Sequence, residues 1–383
     1  MIEVFAGAEN IISSLGLDVE ENINNIIRGN TGIEIDTSGL FFPDALPLSK
    51  VDHSRLQGIH GQKGKGEYTF IEQMFIHSIQ DSLSKSNVDI SSPDTLIIIA
   101  TTKGNIHLLN PELRNGIDKA RLFLPVMAKI IGDYFKNPNT PLIVSNACIS
   151  GVVAIIYGER LIRSGKYKRI IVSGGDMISE FIVSGFQSFQ SLSMNPCRPF
   201  DKKRDGLSLG EGCGTIILSS DASDFHDIEP IKVLGGAISN DANHISGPSR
   251  DGKGLLMAVK NSLEIFRVSA TEIDSISAHG TATVYNDEME AKVFSSASLE
   301  KTPINSYKGY IGHTLGAAGV IESAISLKSM RMNRLFRSAG YEEHGGSKDV
   351  RIIKKTVTNE IRTCLKTASG FGGSNAAIIF SKH

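Results

Sequence analysis

The sequence predicts an α/β fold, and three observations carry that prediction. Short apolar runs alternate with longer helical patterns along the 383 residues. Hydrophobic residues make up 40% and charged residues 21%, which is enough for a large core and too few charges for a disordered chain. Two helical stretches, GVVAIIYGERLI after Cys148 and LGAAGVIESAISL after His313, are apolar on nearly every face. A helix apolar all round is buried rather than laid on a surface. One such helix in each half predicts a layered core with helices between two sheets.

Taken in order, strands are predicted at 96–100, 142–145, 170–173, 215–218, 231–235, 275–278, 304–306 and 376–380. Helices are predicted at 68–85 and 151–163 as well as after His313. Segments 53–66 and 338–348 read as exposed loops. The linker SSDASDFHDIEP divides the chain into an N-terminal half, 1–222, and a C-terminal half, 223–383. The Gly-rich stretches at 205–214 and 370–373 do not link a strand to a helix in GxGxxG register, so neither is a dinucleotide fingerprint.

Composition removes several functions. A net charge of -1, no Trp and 7% aromatics disfavour a nucleic-acid surface or a base-stacking platform. No apolar run approaches a membrane span, and the N-terminus lacks the basic region of a signal peptide. The four cysteines show no CxxC spacing, which suits free thiols in a reducing compartment. These features together predict a cytoplasmic protein.

Three residues carry chemistry. Cys148 sits where the strand PLIVSNA turns into a buried helix. A helix N-terminus favours thiolate over thiol, so this cysteine is expected to be more reactive than a free one, and the same N–H groups suit an oxyanion. A buried structural cysteine is the bland alternative. His279 follows a predicted strand in SISAHGTATVYND, and His313 lies between a strand and a buried helix in INSYKGYIGHTLGAAG. Ligands of α/β folds bind outside the carboxyl ends of strands, where all three residues fall. One histidine alone reads more naturally as a turn or backbone cap; two with a matching cysteine do not. One Cys and two His could also ligate zinc, but no close pair such as HxxxH is present among them.

Five ordered segments then resemble one family over nearly the whole chain. NACISG at 146–151, NPCRPFDKKRDGLSLGEGCG at 195–214, AHGTATVYND at 278–287, SYKGYIGHTLGAAGVIE at 306–322 and SGFGGSN at 369–375 are similar to motifs of the elongating β-ketoacyl-acyl-carrier-protein synthases. The resemblance implies a thiolase-like fold, two similar halves in a five-layer α-β-α-β-α arrangement. It also implies no cofactor and no metal. The implied partners are an acyl carrier protein bearing phosphopantetheine-linked acyl and malonyl groups, and a second subunit in a homodimer or a heterodimer with a chain-length-factor-like chain. The implied roles follow residue by residue. Cys148 is the acylated nucleophile. His279 and His313 donate hydrogen bonds to the malonyl thioester as it loses carbon dioxide. Lys308 and Glu322 form a supporting charge pair behind His313, and Phe371 supplies an oxyanion N–H and a gate. Thr281, Thr283 and Gly372 bind substrate. The basic run DKKRDG at 201–206 is either a carrier-protein contact or an ordinary solvated loop, and the loop at 105–113 is expected to line the acyl tunnel. Ser277, where the family commonly has Asn, and Ile149 after the cysteine depart from its pattern, which favours a polyene- or polyketide-type pathway over housekeeping fatty-acid synthesis. Two rival readings remain, a non-catalytic chain-length-factor-like partner and a thioester decarboxylase; both usually lack the nucleophilic cysteine.

Overall fold

The computed structural model describes residues 2–382 apart from 58–67, 115, 227, 246 and 248. Ten strands form the main sheet: β1 (Phe5–Ile12), β2 (Thr95–Ala100), β3 (Leu142–Val144), β4 (Arg169–Asp176), β5 (Gly212–Ser219), β6 (Ile231–Asn240), β7 (Ser275–Ser277), β8 (Ile304–Asn305), β9 (Thr363–Gly370) and β10 (Ser374–Ser381). Their order is β8-β7-β9-β10-β6-β1-β5-β4-β2-β3. The C-terminal five repeat the N-terminal five strand for strand. In each set the second strand is parallel to the third and fourth. The fifth is antiparallel to the fourth and to the first. The two sets are joined where Phe5 and Ala6 of β1 pair with Lys232 and Ile231 of β6.

Among the described residues, eight helices of nine residues or more dress this sheet: Val19–Arg28, which packs on β1, and α1 (Phe70–Leu83), α2 (Leu124–Tyr134), α3 (Ser150–Arg163), α4 (Glu180–Ser188), α5 (Lys253–Ile265), α6 (Val284–Ser296) and α7 (Ala318–Met332). The two helices predicted to be apolar all round are α3 and α7. They pack on each other, α3 touching β4 and β10, α7 touching β5 and β9, so both lie between the two strand sets. Outside, α1 covers β1, β4 and β5, while α5 covers β6 and β10 and carries α6. The result is five layers. Fully buried side chains such as Ile321 and Leu327 of α7 anchor the middle layer, each stabilising the fold by roughly 1.5–3 kcal/mol. Among the described residues no helix is long and apolar enough to cross a membrane.

Glycine sets how closely the central helices approach. A Cβ on Gly319 would fall 2.4 Å from the Val152 nitrogen, and one on Gly151 would fall 2.6 Å from the Val320 nitrogen. Backbone faces backbone there, so nothing flexible can yield. Gly319→Ala is expected to destabilise the protein by about 2–3 kcal/mol through overpacking, read from the denaturant midpoint. Gly185→Ala on α4, where a Cβ meets nothing within 4 Å, is the control and should be neutral or stabilising by up to about 1 kcal/mol.

All eight predicted strands are present, within a few residues at each end. Two more of the main sheet, β1 and β9, escaped the pattern, as did the short strands of two smaller sheets, Glu34–Asp36, Leu46–Ser49 and Leu209–Gly210 in one, Arg334–Leu335 and Val357–Thr358 in the other. The stretch read as an exposed loop at 53–66 begins instead with a short helix, His53–Gln57; residues 58–66 lie outside the described residues. The stretch 338–348 is irregular, yet Ser338 and Ala339 are buried.

Candidate active site

The site lies at the carboxyl ends of β3, β7 and β8, where β3 leads to Cys148, β7 to His279, and β8 to Lys308 and then His313. Between β3 and α3 the chain makes a tight turn with Ala147 at φ 44°, a left-handed conformation that costs a side-chain-bearing residue roughly 1–2 kcal/mol. Ser150 holds that turn: its hydroxyl donates to the Ala147 carbonyl at 2.6 Å and accepts from the Asn146 N–H at 2.8 Å. Cys148 thereby stands just ahead of α3 with its sulfur directed into a cavity of about 300 Å³. Phe186, Phe189, His279, Thr281, Thr283, His313 and Phe371 also line that cavity.

The Cys148 sulfur and the ring nitrogens of His279 and His313 lie within 4.8 Å of one another. The two imidazoles stand edge to face, with centroids 5.2 Å apart. His313 Nδ1 accepts from the Leu315 N–H at 3.2 Å, and His279 Nδ1 faces the Lys308 ammonium at 3.4 Å. With each Nδ1 accepting, each Nε2 carries the ring proton. Burial first, then the charges of Lys308 and Lys366, hold both rings well below the ordinary imidazole range, and the His313 ring adds to this at His279. Both are therefore neutral donors at pH 7. This tautomer presents N–H groups rather than lone pairs to the cavity, which works against the zinc reading.

Lys308 and Glu322 are paired at 2.6 Å and both buried. Lys308 also donates to the His279 carbonyl at 2.5 Å, so the pair sits behind His279 rather than behind His313 as expected. His313 is held instead by the mid-chain segment: its N–H donates to the Ser208 carbonyl at 2.7 Å and its carbonyl accepts from the Gly210 N–H at 3.0 Å. Gly210 is needed there, because a Cβ would lie 2.1 Å from the Ile311 carbonyl oxygen.

Several supporting residues were not foreseen. Glu290 of α6 accepts the N–H groups of His279 and Gly280 at 2.8 and 2.6 Å, and Asp287 accepts that of Thr281 at 3.0 Å. Burial raises both carboxyl groups, Asp287 to about 6. Their signal was an i, i+3 acidic pair on the helix that follows HGTAT. Asp176, at the end of β4, accepts from Thr101 Oγ1, the Thr102 N–H and the Gly316 N–H, tying the β2 end to the chain just past His313. Lys366 of β9 reaches the second oxygen of Glu322 at 2.5 Å.

Other expected residues divide. The Phe371 N–H points at the Cys148 sulfur, and its ring packs on Phe186 and Phe189 at centroid distances of 5.3 and 5.1 Å. Thr281 and Thr283 line the cavity, their hydroxyls 2.9 Å apart, but Thr283 also caps α6. Gly372 does not line it; its N–H donates to the Ile245 carbonyl and its carbonyl accepts from Asn240, in a left-handed turn at φ 80°. The run 201–206 is not uniformly basic surface, since Asp201 and Arg204 are buried and Lys202 pairs with Glu343. The loop at 105–113 lines a second cavity of about 1260 Å³ that shares no lining residue with the first. Helix α4 separates the two, giving Phe181 and Ser184 to the larger and Phe186 to the smaller.

The thiol departs from expectation. Burial pushes Cys148 up to about 11, with the Lys308 charge and the Phe371 N–H pulling the other way. Desolvation of a sulfur anion in this closed cavity outweighs the helix terminus. At neutral pH Cys148 rests as a thiol. Its alkylation by iodoacetamide should rise about tenfold per pH unit from 7 to 9; a plateau below pH 8 would show a stabilised thiolate instead.

A cysteine facing two neutral imidazole donors, at the strand ends of a duplicated five-layer α/β fold, is an arrangement of the thiolase-like fold shared with ketosynthases. Residues 125–223 match the β-ketoacyl synthase N-terminal domain and residues 231–342 the C-terminal domain, together over half of the chain. The chain belongs to the β-ketoacyl synthase family. It is 29% identical over 312 residues to the chloroplastic 3-oxoacyl-[acyl-carrier-protein] synthase I of Hordeum vulgare, covering 74% of this chain and 66% of that protein. It is 33% identical over 257 residues to a 3-oxoacyl-[acyl-carrier-protein] synthase homolog of Saccharomyces cerevisiae, covering 62% and 58%. The match thus spans less than two thirds of either curated relative. Among solved structures, a chain from the complex of a ketosynthase with its chain length factor from Xenorhabdus doucetiae superposes with a TM-score of 0.87 at 25% identity, covering 99% of this chain and 98% of that one.

Proposed function

We propose that this protein catalyses a decarboxylative Claisen condensation between an acyl group held on Cys148 and a malonyl-acyl-carrier-protein. The observation that carries the reading is the juxtaposition of the Cys148 sulfur with two imidazoles whose Nδ1 atoms are both engaged as acceptors. In the first step the Cys148 sulfur attacks an acyl thioester, the carbonyl oxygen is held at the Phe371 N–H, and the carrier thiol leaves with the proton of the Cys148 thiol. One difficult transfer becomes two easier ones. A malonyl thioester then enters with its carbonyl oxygen between His279 and His313. Its C–C bond to the carboxylate breaks, carbon dioxide departs, and the electron pair becomes an enolate stabilised by the two N–H donors. The enolate carbon bonds to the acyl carbon and expels the Cys148 thiolate, leaving a β-ketoacyl thioester on the carrier.

The carrier protein as partner is supported by the family and by the names of the curated relatives. A second thiolase-like subunit is supported by the resemblance to a ketosynthase–chain length factor complex. Cys148 beside both histidines favours a catalytic subunit over a chain-length-factor-like one, and over a decarboxylase that needs no nucleophile. The test is a reconstituted assay with acyl and malonyl carrier thioesters, followed by mass spectrometry of the carrier. A carrier-bound β-ketoacyl product with equimolar carbon dioxide supports condensation. Carbon dioxide with acetyl-carrier alone supports the decarboxylase, and neither product points to a partner subunit.

A further inference from the structure

We propose that Lys366 is a positioning residue for this reaction: by occupying one oxygen of Glu322, it turns Lys308 onto His279 and fixes the donor tautomer of that ring. The inference rests on the function proposed above and adds a residue to it.

Lys366 lies in the middle of β9, is fully buried, and has its ammonium within 2.5 Å of Glu322 Oε2, 2.8 Å of the Thr367 carbonyl, 3.3 Å of the Ser277 carbonyl and 3.4 Å of the Ala278 carbonyl. Lys308, equally buried, reaches Glu322 Oε1 at 2.6 Å, the His279 carbonyl at 2.5 Å and His279 Nδ1 at 3.4 Å. The two ammonium groups therefore share one carboxylate, one oxygen each. Between them they hold three successive carbonyls, Ser277, Ala278 and His279, which form the end of β7 and the start of the loop that carries the His279 ring.

That division matters for geometry. A buried carboxylate must have both oxygens satisfied, and here each oxygen of Glu322 is held by a different ammonium. With Oε2 occupied, Lys308 is bound through Oε1 alone, and its remaining donors are free to serve His279. Lys366 thus acts on the imidazole through Lys308 and touches no substrate. A lysine is also costly at a fully buried strand position, where an apolar side chain would need no partner.

The charges facing Lys366 come from every neighbouring element: Glu322 on α7, Lys308 after β8, Glu290 on α6, and Cys364 on its own strand. His279 and His313 feel it as a positive charge that disfavours the imidazolium. Removing it makes each ring easier to protonate, so the acid limb of the activity profile should move to higher pH.

The test compares Lys366→Met and Lys366→Gln with the parent protein. Both variants are expected to load one acyl group per Cys148, which reports an intact fold and nucleophile. The kcat for malonyl-carrier decarboxylation should fall roughly tenfold or more with little change in KM, and the acid limb should move up in pH. Histidine-selective ¹⁵N spectra should show an altered lone-pair signature at His279 Nδ1. An unchanged kcat with an unmoved acid limb, or an unaltered Nδ1 signature, overturns the proposal. Loss of fold in both variants overturns it too, since the lysine would then be structural. If the parent protein neither loads acyl groups nor releases carbon dioxide, the function fails while the spectra still decide the role of Lys366.

Discussion

Cys148→Ala should abolish covalent acyl loading and lower condensation by on the order of 10⁴-fold or more, as removal of a catalytic nucleophile does, while malonyl decarboxylation persists. The asymmetry follows from which atoms each step uses. Loading needs a sulfur to attack and the Phe371 N–H to hold the oxyanion. Decarboxylation needs only donors at the malonyl carbonyl, and those are Nε2 of His279 and of His313, both anchored from behind by groups that do not touch Cys148. Alanine also leaves the turn in place, because the Ser150 hydrogen bonds that hold Asn146 and Ala147 do not involve the sulfur. Intact-mass measurement after incubation with acyl-carrier thioesters reads the loading, and carbon dioxide release reads the rest. A mutant that still gains one acyl mass would place the nucleophile at Cys197, Cys213 or Cys364. That outcome is disfavoured because those three thiols are buried away from the cavity.

The site was legible where its chemistry is carried by a single residue at a strand end with a distinctive neighbourhood: Cys148 before an apolar helix, His279 and His313 flanked by glycine. The layers were legible from α3 and α7, whose apolar residues cover every face. What escaped reading was polarity inside strands. In β1, FAGAENII, and β9, TCLKTASG, small and polar residues interrupt the apolar run, so neither period 2 nor a continuous hydrophobic stretch marks them. Their buried polar side chains reach partners elsewhere in the fold: Asn10 Nδ2 donates to the Leu17 carbonyl and Asp81, and Lys366 to Glu322. The same blindness hid Glu290, Asp287 and Asp176. Each accepts from backbone N–H groups as well as side chains, and backbone leaves no trace in side-chain composition. Pairwise reasoning failed in one further place. Lys308 and Glu322 were rightly joined, but strand register brings Lys366 to the same carboxylate and directs the pair to His279. Burial of the Cys148 thiol was hidden for a related reason, since a helix terminus is visible in sequence and desolvation in the folded pocket is not.

The two histidines should separate from Cys148 in the opposite sense. His279→Ala and His313→Ala are each expected to lower malonyl decarboxylation by about 10²–10³-fold, the effect of losing one preorganised oxyanion donor, while acyl loading of Cys148 continues. The two losses should not multiply in the double mutant, because an enolate oxygen deprived of one donor is already poorly placed against the other. His279→Gln restores an N–H donor without a ring, and its amide oxygen can accept from the Lys308 ammonium, so it should recover part of the lost rate. At position 313 the orienting group is the Leu315 backbone N–H, which no side-chain substitution removes, so adding Lys308→Met should cancel the recovery by His279→Gln and spare more of that by His313→Gln. The comparison is read as kcat for carbon dioxide release with a saturating malonyl-carrier thioester. Equal effects of Lys308→Met on the two recoveries would mean that Lys308 does not orient the group at 279, and the buried charge cluster would then be a structural feature of the fold rather than part of its catalytic apparatus.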